Sequence, residues 1–193
     1  VIYKRKVKME LQDHFLIAMP QLEDSYFQRT VIYICEHNDQ GSMGLVLNQP
    51  TDLSIAELMA KMNFMMAGGR EYPTQLVLAG GPVNVERGFI LHTETENTFQ
   101  HSYKITDNLR LTTSSDIVET FGTPLAPKKY LVALGCASWS PNQLANEIAE
   151  NSWLLVPANE HILFDVPYSE RWLAANQLLG IQHHNFAYQA GHS

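Results

Sequence analysis

The stretch Tyr130–Pro157, YLVALGCASWSPNQLANEIAENSWLLVP, decides how the rest of the chain is read. Tyr130 to Leu134 is an unbroken apolar run of strand length, which predicts a strand covered on both faces. Gly135 to Ser138 is a run of small residues, and a sharp turn is expected there. A helix should follow. Ser140 suits an N-cap, Pro141 sits where a missing N–H costs nothing, and Gln143 completes a Ser-x-x-Gln capping box, together worth roughly 1 to 2 kcal/mol. Leu144 and Ile148, with Ala145 and Ala149, recur at i and i+4 as a buried stripe, leaving Asn142, Asn146, Glu147 and Glu150 for solvent. In a strand–turn–helix unit, the loop at the carboxyl end of the strand lies beside the free N–H groups of the helix and is a common ligand position. Here it carries Cys136, Ser138 and Trp139.

On the N-terminal side, His14 to Met19 reads as a strand ended by Pro20, and Glu23 to Gln28 as a turn or short helix. Thr30 to Cys35 and Met43 to Asn48 form an antiparallel hairpin around the turn cluster Glu36–Gly41. The adjacent Glu36 and His37 are either an acid–base pair or a solvated loop. Ser54 and Glu57 cap a helix over Ser54–Met66, whose methionines fit core packing better than an adaptable binding face. A loop over Ala67–Thr74 follows. The strand Gln75–Ala79 runs into Gly80-Gly81-Pro82, and Arg87-Gly88 leads into the strand Phe89–His92. Two glycines at a strand end permit close approach of a ligand or simply a Gly-Pro turn, and Arg87 can meet an anion there or pair with an acid such as Glu36. His101–Thr106 and Leu109–Thr112 form a hairpin, and Ser115–Phe121 a short helix closed by Gly122. Beyond the central stretch, Trp153–Val156 and His161–Asp165 are expected as strands. Ser169 should cap a last helix, Glu170–Leu179, stopped by Gly180. His183, His184 and His192 lack the i, i+4 spacing of a helical metal pair, so residues 183–193 read as a flexible tail.

With 193 residues, 45% of them hydrophobic, one core can form, and a single domain over residues 9–182 is expected. Residues 1–8 read as an upstream extension or disordered arm, with a basic arm for anions as the alternative. The formal charge is −7, yet Lys4, Arg5, Lys6 and Lys8 all lie in that arm. From Met9 onward nine Lys and Arg face twenty Asp and Glu, a balance of −11. So acidic a body argues against autonomous binding of nucleic acid. Cys35 and Cys136 have no CxxC spacing and suit a reducing, cytoplasmic setting as free thiols. No apolar run approaches the ~18 to 20 residues of a transmembrane helix. Neither a G-x-S-x-G elbow, an H-E-x-x-H pair, a dinucleotide fingerprint nor an EF-hand loop occurs, so no cofactor or metal is expected and enzymatic activity is disfavoured.

Four blocks in order resemble one family: EHN at Glu36–Asn38, GSMGLVLNQP at Gly41–Pro50, AGGPVNVERGFILH at Ala79–His92 and LGCASWSPNQLANEI at Leu134–Ile148. Together they are similar to the AlgH/YqgE family of bacterial proteins, which is largely uncharacterised and in which some members carry a transcriptional-regulator label. The resemblance implies an α+β fold, a mixed bifurcated β-sheet forming a pseudo-barrel flanked by α-helices. It brings no catalytic assignment. The family often has an aromatic residue where this sequence has Cys136, so the resemblance implies no family-wide role for the thiol.

The leading expectation is a non-enzymatic cytoplasmic binding module with a regulatory role, taking a small anionic ligand or a protein partner. Its candidate site gathers Glu36, His37, Gly80, Gly81, Arg87, Gly135, Cys136, Ser138, Trp139 and Gln143. That grouping requires the strands before Gly80 and Gly135 to lie side by side and parallel, with both breaks on one edge. The alternatives are a transcription factor acting directly on DNA and an enzyme using Glu36, His37 or Cys136.

Overall fold

The computed structural model describes residues 10–19, 27–63 and 71–190, the last ten of these by their backbone alone. The expectations for residues 1–8, most of Glu23–Gln28, the start of the Ala67–Thr74 loop, and the histidine side chains of the tail lie outside that range.

Three strands open the chain, β1 (His14–Ala18), β2 (Val31–Asn38) and β3 (Gly41–Val46), and each runs antiparallel to the next. Their apolar residues alternate onto two faces: Tyr33, Cys35 and Leu45 enter one core cluster, Ile32, Ile34 and Val46 another. β4 (Pro50–Ser54), which the sequence reading lacked, pairs antiparallel with β5 (Leu76–Ala79). Between them α1 (Ile55–Lys61) starts as expected, with Ser54 Oγ accepting the Glu57 N–H at 3.1 Å. β6 (Val83–Thr93), β7 (Ser102–Lys104) and β8 (Leu109–Thr112) continue the sheet antiparallel.

The hub is β9 (Tyr130–Trp139). Over its first half it pairs antiparallel with β6 and parallel with β5; over Ala137–Trp139 it pairs antiparallel with β3. One strand with partners on both arms makes the sheet fork, and the sheet curls into a half-barrel. β10 (Trp153–Pro157) closes the far edge against β1. The helices α2 (Gln143–Ala149) and α3 (Arg171–Ala190) pack outside. The architecture is α+β on a bifurcated mixed sheet, as expected.

Several local expectations are corrected. Gly135–Ser138 is not a turn: β9 continues through it, because its backbone groups find partners on β3 and β6. The small residues are needed for close approach instead. A Cβ on Gly80 would lie 2.3 Å from the Gly135 carbonyl oxygen, and one on Gly81 would lie 2.1 Å from the Cys136 carbonyl carbon. Gly135 itself kinks the strand at φ +77°, in the left-handed region that favours glycine. The helix after it starts at Gln143 rather than Pro141, since Asn142 adopts φ +67°. Half of the capping box survives, with the Ser140 N–H donating to Gln143 Oε1 at 3.0 Å. His161–Asp165 is a π-helical turn, not a strand; Ile162 and Leu163 are buried, and Asn159 Oδ1 accepts the Ile162 N–H. A short apolar run fits either conformation, and length cannot arbitrate. Finally, Gly180 does not stop α3, which continues helical through Ala190, and a lone glycine costs a helix only about 1 kcal/mol.

Candidate functional site

The fork creates a concavity. β6 matches β9 at Val83 opposite Cys136 and again at Gly88 opposite Leu134, so residues 84–87 of β6 leave the ladder. Two of them, Asn84 and Arg87, line a cleft of about 550 Å³. A second irregularity faces it from β2, where the pairing skips Cys35 between Ile34 and Glu36, and Glu36 lines the same cleft. Cys136 and Ser138 of β9 complete its polar wall.

Of the ten residues singled out in the sequence, four therefore converge: Glu36, Arg87, Cys136 and Ser138. Gly80 and Gly81 follow β5, which runs parallel beside β9 and its Gly135, but these glycines press backbone on backbone and do not line the cleft. His37 turns its Nδ1 to Ser42 Oγ at 2.5 Å. Trp139, 6% exposed, belongs to the core beneath α2, its ring edge-on to Trp153 at 6.3 Å. With Gln143 it borders a hollow of about 200 Å³ that shares Val83 and Ser138 with the cleft. The α2 N-terminus does not reach the cleft, so it supplies no anion-binding N–H groups there.

Sequence reading missed the rest of the lining, Met43, Phe89, His101, Tyr103 and Thr113 among it. Phe89 carried a signal, because it stands two residues after Arg87 and so on the same face of the strand. The residues of β7 and β8 carried none, since nothing local shows that this hairpin folds back toward Cys136.

Arg87 is the cation of the cleft. Its Nη2 donates to Thr113 Oγ1 at 3.3 Å and its guanidinium lies 5.7 Å from the Phe89 ring centre. Among the described residues it makes no ion pair with a carboxylate, Glu36 included. Glu36 Oε1 instead accepts from Asn38 Nδ2 at 3.0 Å. Burial pushes the Cys136 thiol up, and the charge of Arg87 offsets this only in part. Cys35, fully enclosed, is pushed up much further by burial. Both thiols are free and protonated at neutral pH. No group of three His, Cys, Asp or Glu among the described residues is placed to hold a metal, and no helix among them is long and apolar enough to cross a membrane.

The forked mixed sheet is of the α+β class, and the chain belongs to the AlgH-like family, whose model matches residues 15–184. Among its relatives, a UPF0301 protein of Pasteurella multocida is 77% identical over 184 residues, covering 95% of this chain and 99% of the relative. Another, from Haemophilus influenzae, is 63% identical over 186 residues, covering 96% of this chain and all of the relative. The solution structure of AlgH from Pseudomonas aeruginosa superposes with a TM-score of 0.76 at 38% identity, covering 98% of this chain and 100% of that one. A crystal structure of a Corynebacterium diphtheriae protein shares the fold at a TM-score of 0.65 and 21% identity, over 86% of this chain and 85% of the other.

Proposed function

We propose that the chain is a cytoplasmic, non-enzymatic binding module that takes a small anionic ligand, carboxylate-bearing in particular, in the cleft at the fork, and that its regulatory role rests on this binding. One observation carries the reading: Arg87 lines a cleft of about 550 Å³ without a carboxylate partner among the described residues. Phe89 and Tyr103 supply apolar wall beside it, and Ser138 and Thr113 supply hydroxyls, the mixture that small-ligand sites use. A catalytic reading has less support, because the Cys136 thiol is held protonated by burial and His37 is turned to Ser42. Direct action on DNA is also weakly supported. The body carries −11, and Arg110, Lys104 and Lys129 are tied to Glu94, Asp107 and Asp165.

Calorimetric titration with citrate, succinate and inorganic phosphate tests the proposal. At least one should bind saturably, and Arg87→Ala should weaken it roughly tenfold to a hundredfold, as expected for loss of a charge-assisted contact. Absence of binding by all three, or equal binding by the variant, overturns it. A salt-dependent DNA titration separates the regulator reading, which requires tight sequence-specific binding at physiological salt.

A further inference from the structure

The second arginine of interest lies at the other end of β9. Arg171, at the start of α3, is 3% exposed. Its Nε–H donates to the Val166 carbonyl at 3.0 Å and its Nη1 to the Leu47 carbonyl at 2.7 Å, while the guanidinium lies 4.8 Å from the Tyr168 ring centre. Nη2 has no hydrogen-bond partner among the described residues, and no carboxylate pairs with the group. Neutral carbonyls orient a guanidinium but leave its charge uncompensated, and a buried uncompensated charge is costly. Arg171 lines a recess of about 200 Å³ together with Gln75, Tyr130 and Tyr168. Asp165 also borders the recess, but both of its oxygens lie 2.8 Å from Lys129 Nζ, so that pair is neutral as a unit. Burial draws the Arg171 guanidinium down to about 10, with Tyr168 opposing, and it remains charged at neutral pH.

We propose that this recess is a second ligand site, one that binds an oxyanion of carboxylate or phosphate size through the Arg171 guanidinium. It is separate from the cleft at the fork: Tyr130 begins β9, whereas Cys136 and Ser138 lie toward its end. An oxyanion supplies the missing counter-charge and occupies the free donors at once.

The test is an NMR titration of the full chain, following backbone amides and arginine Nε–H signals, with sodium phosphate and sodium acetate as separate probes and sodium chloride at matched ionic strength as control. Saturable shifts at the Tyr168 amide and the Arg171 Nε–H with either oxyanion support the site, and the tighter of the two identifies the ligand's anionic group. Arg171→Met should weaken that binding roughly tenfold to a hundredfold, while Arg87→Ala leaves it unchanged, which keeps failure here distinct from failure at the cleft. Should Arg171→Met not fold, the positions of the shifting signals in the unmodified chain still decide. No saturable shift at these signals, or the same shift with chloride, overturns the site and reduces Arg171 to a clamp on two carbonyls.

Discussion

Replacing Gly135 by alanine tests whether the fork depends on close backbone contact. At φ +77° a non-glycine residue is strained by about 1 to 3 kcal/mol. The new methyl group would also sit 2.4 Å from the Gly81 carbonyl oxygen and 3.2 Å from that of Val83. Both are backbone atoms of the adjacent segment, so no side-chain rotation relieves the overlap, and overpacking of this kind costs about 1 to 3 kcal/mol more. The expected loss is about 2 to 6 kcal/mol, a large share of the ~5 to 15 kcal/mol that holds a domain folded. For a chain of this size the melting temperature should fall on the order of 10 °C. Gly88→Ala is the matched control. It lies on the same strand system, yet no atom stands within 4 Å of its added Cβ, so its effect should stay within about 1 kcal/mol. Urea unfolding followed by tryptophan fluorescence is suited to the comparison, because Trp139 and Trp153 are buried near the kink. Equal midpoints for the two variants would refute the argument, since Gly135 combines a left-handed backbone with close backbone contacts and Gly88 has neither.

Further outcomes follow from the buried polar groups. His92 is fully buried, its Nδ1–H donating to the Thr93 carbonyl at 2.8 Å and its Nε2 lying 2.7 Å from Thr112 Oγ1, and burial holds it below its ordinary value of 6.5. The unfolded chain therefore binds the proton first, so stability is fully present above about pH 6.5 and falls as the pH drops through that value, by at most about 1.4 kcal/mol per unit. Urea midpoints at pH 7.5 and 5.5 should differ more for the native chain than for His92→Asn; identical differences would remove His92 as the cause. Tyr33 Oη–H donates to Asp13 Oδ1 at 2.7 Å, so Tyr33→Phe should cost about 1.5 to 3 kcal/mol in chemical denaturation, and a neutral result would mean that solvent replaces the bond. Thiol labelling at pH 7.5 should be slow at Cys136 and slower at Cys35, and Arg87→Ala should slow Cys136 further by removing the charge that favours its thiolate; faster labelling in that variant contradicts the proximity of the two groups.

Much of the fold was legible because it was written locally. The β-branched run Thr30–Cys35, the cap at Ser54 and the apolar run at Tyr130–Leu134 each specify one conformation with the residues at hand. Errors arose where a distant partner decided. Small residues at Gly135–Ser138 fit a turn equally well until β3 and β6 offer partners for a continuing strand. His161–Asp165 has the composition of a strand, but it makes a single π-helical turn whose first N–H groups are met by Asn159. At the candidate site, Glu36, Arg87, Cys136 and Ser138 stood out as polar or reactive groups at turns expected at strand ends. His101 and Tyr103 did not, since their place in the cleft depends on a hairpin that pairs with β6.

The distribution of positive charge bears on function more directly than any single motif. With twenty acids against nine basic residues from Met9 onward, a cation in this body does not lack available partners, and Arg110, Lys104 and Lys129 each hold one within 3.1 Å. Arg87 and Arg171 hold no carboxylate among the described residues, although Glu36 shares the cleft of the first and Asp165 the recess of the second. In both cases the acid is engaged elsewhere, Glu36 by Asn38 and Asp165 by Lys129. Each arginine is instead oriented by groups that leave its charge intact: a hydroxyl and a ring for Arg87, two carbonyls and a ring for Arg171. An arrangement that aligns a guanidinium while keeping nearby carboxylates off it favours an outside anion over an internal salt bridge, because the ligand then displaces no existing partner. Stabilisation of the chain by citrate or phosphate should therefore exceed that by chloride at equal ionic strength and lessen with each arginine removed. Equal protection by all three salts would leave both arginines as structural groups.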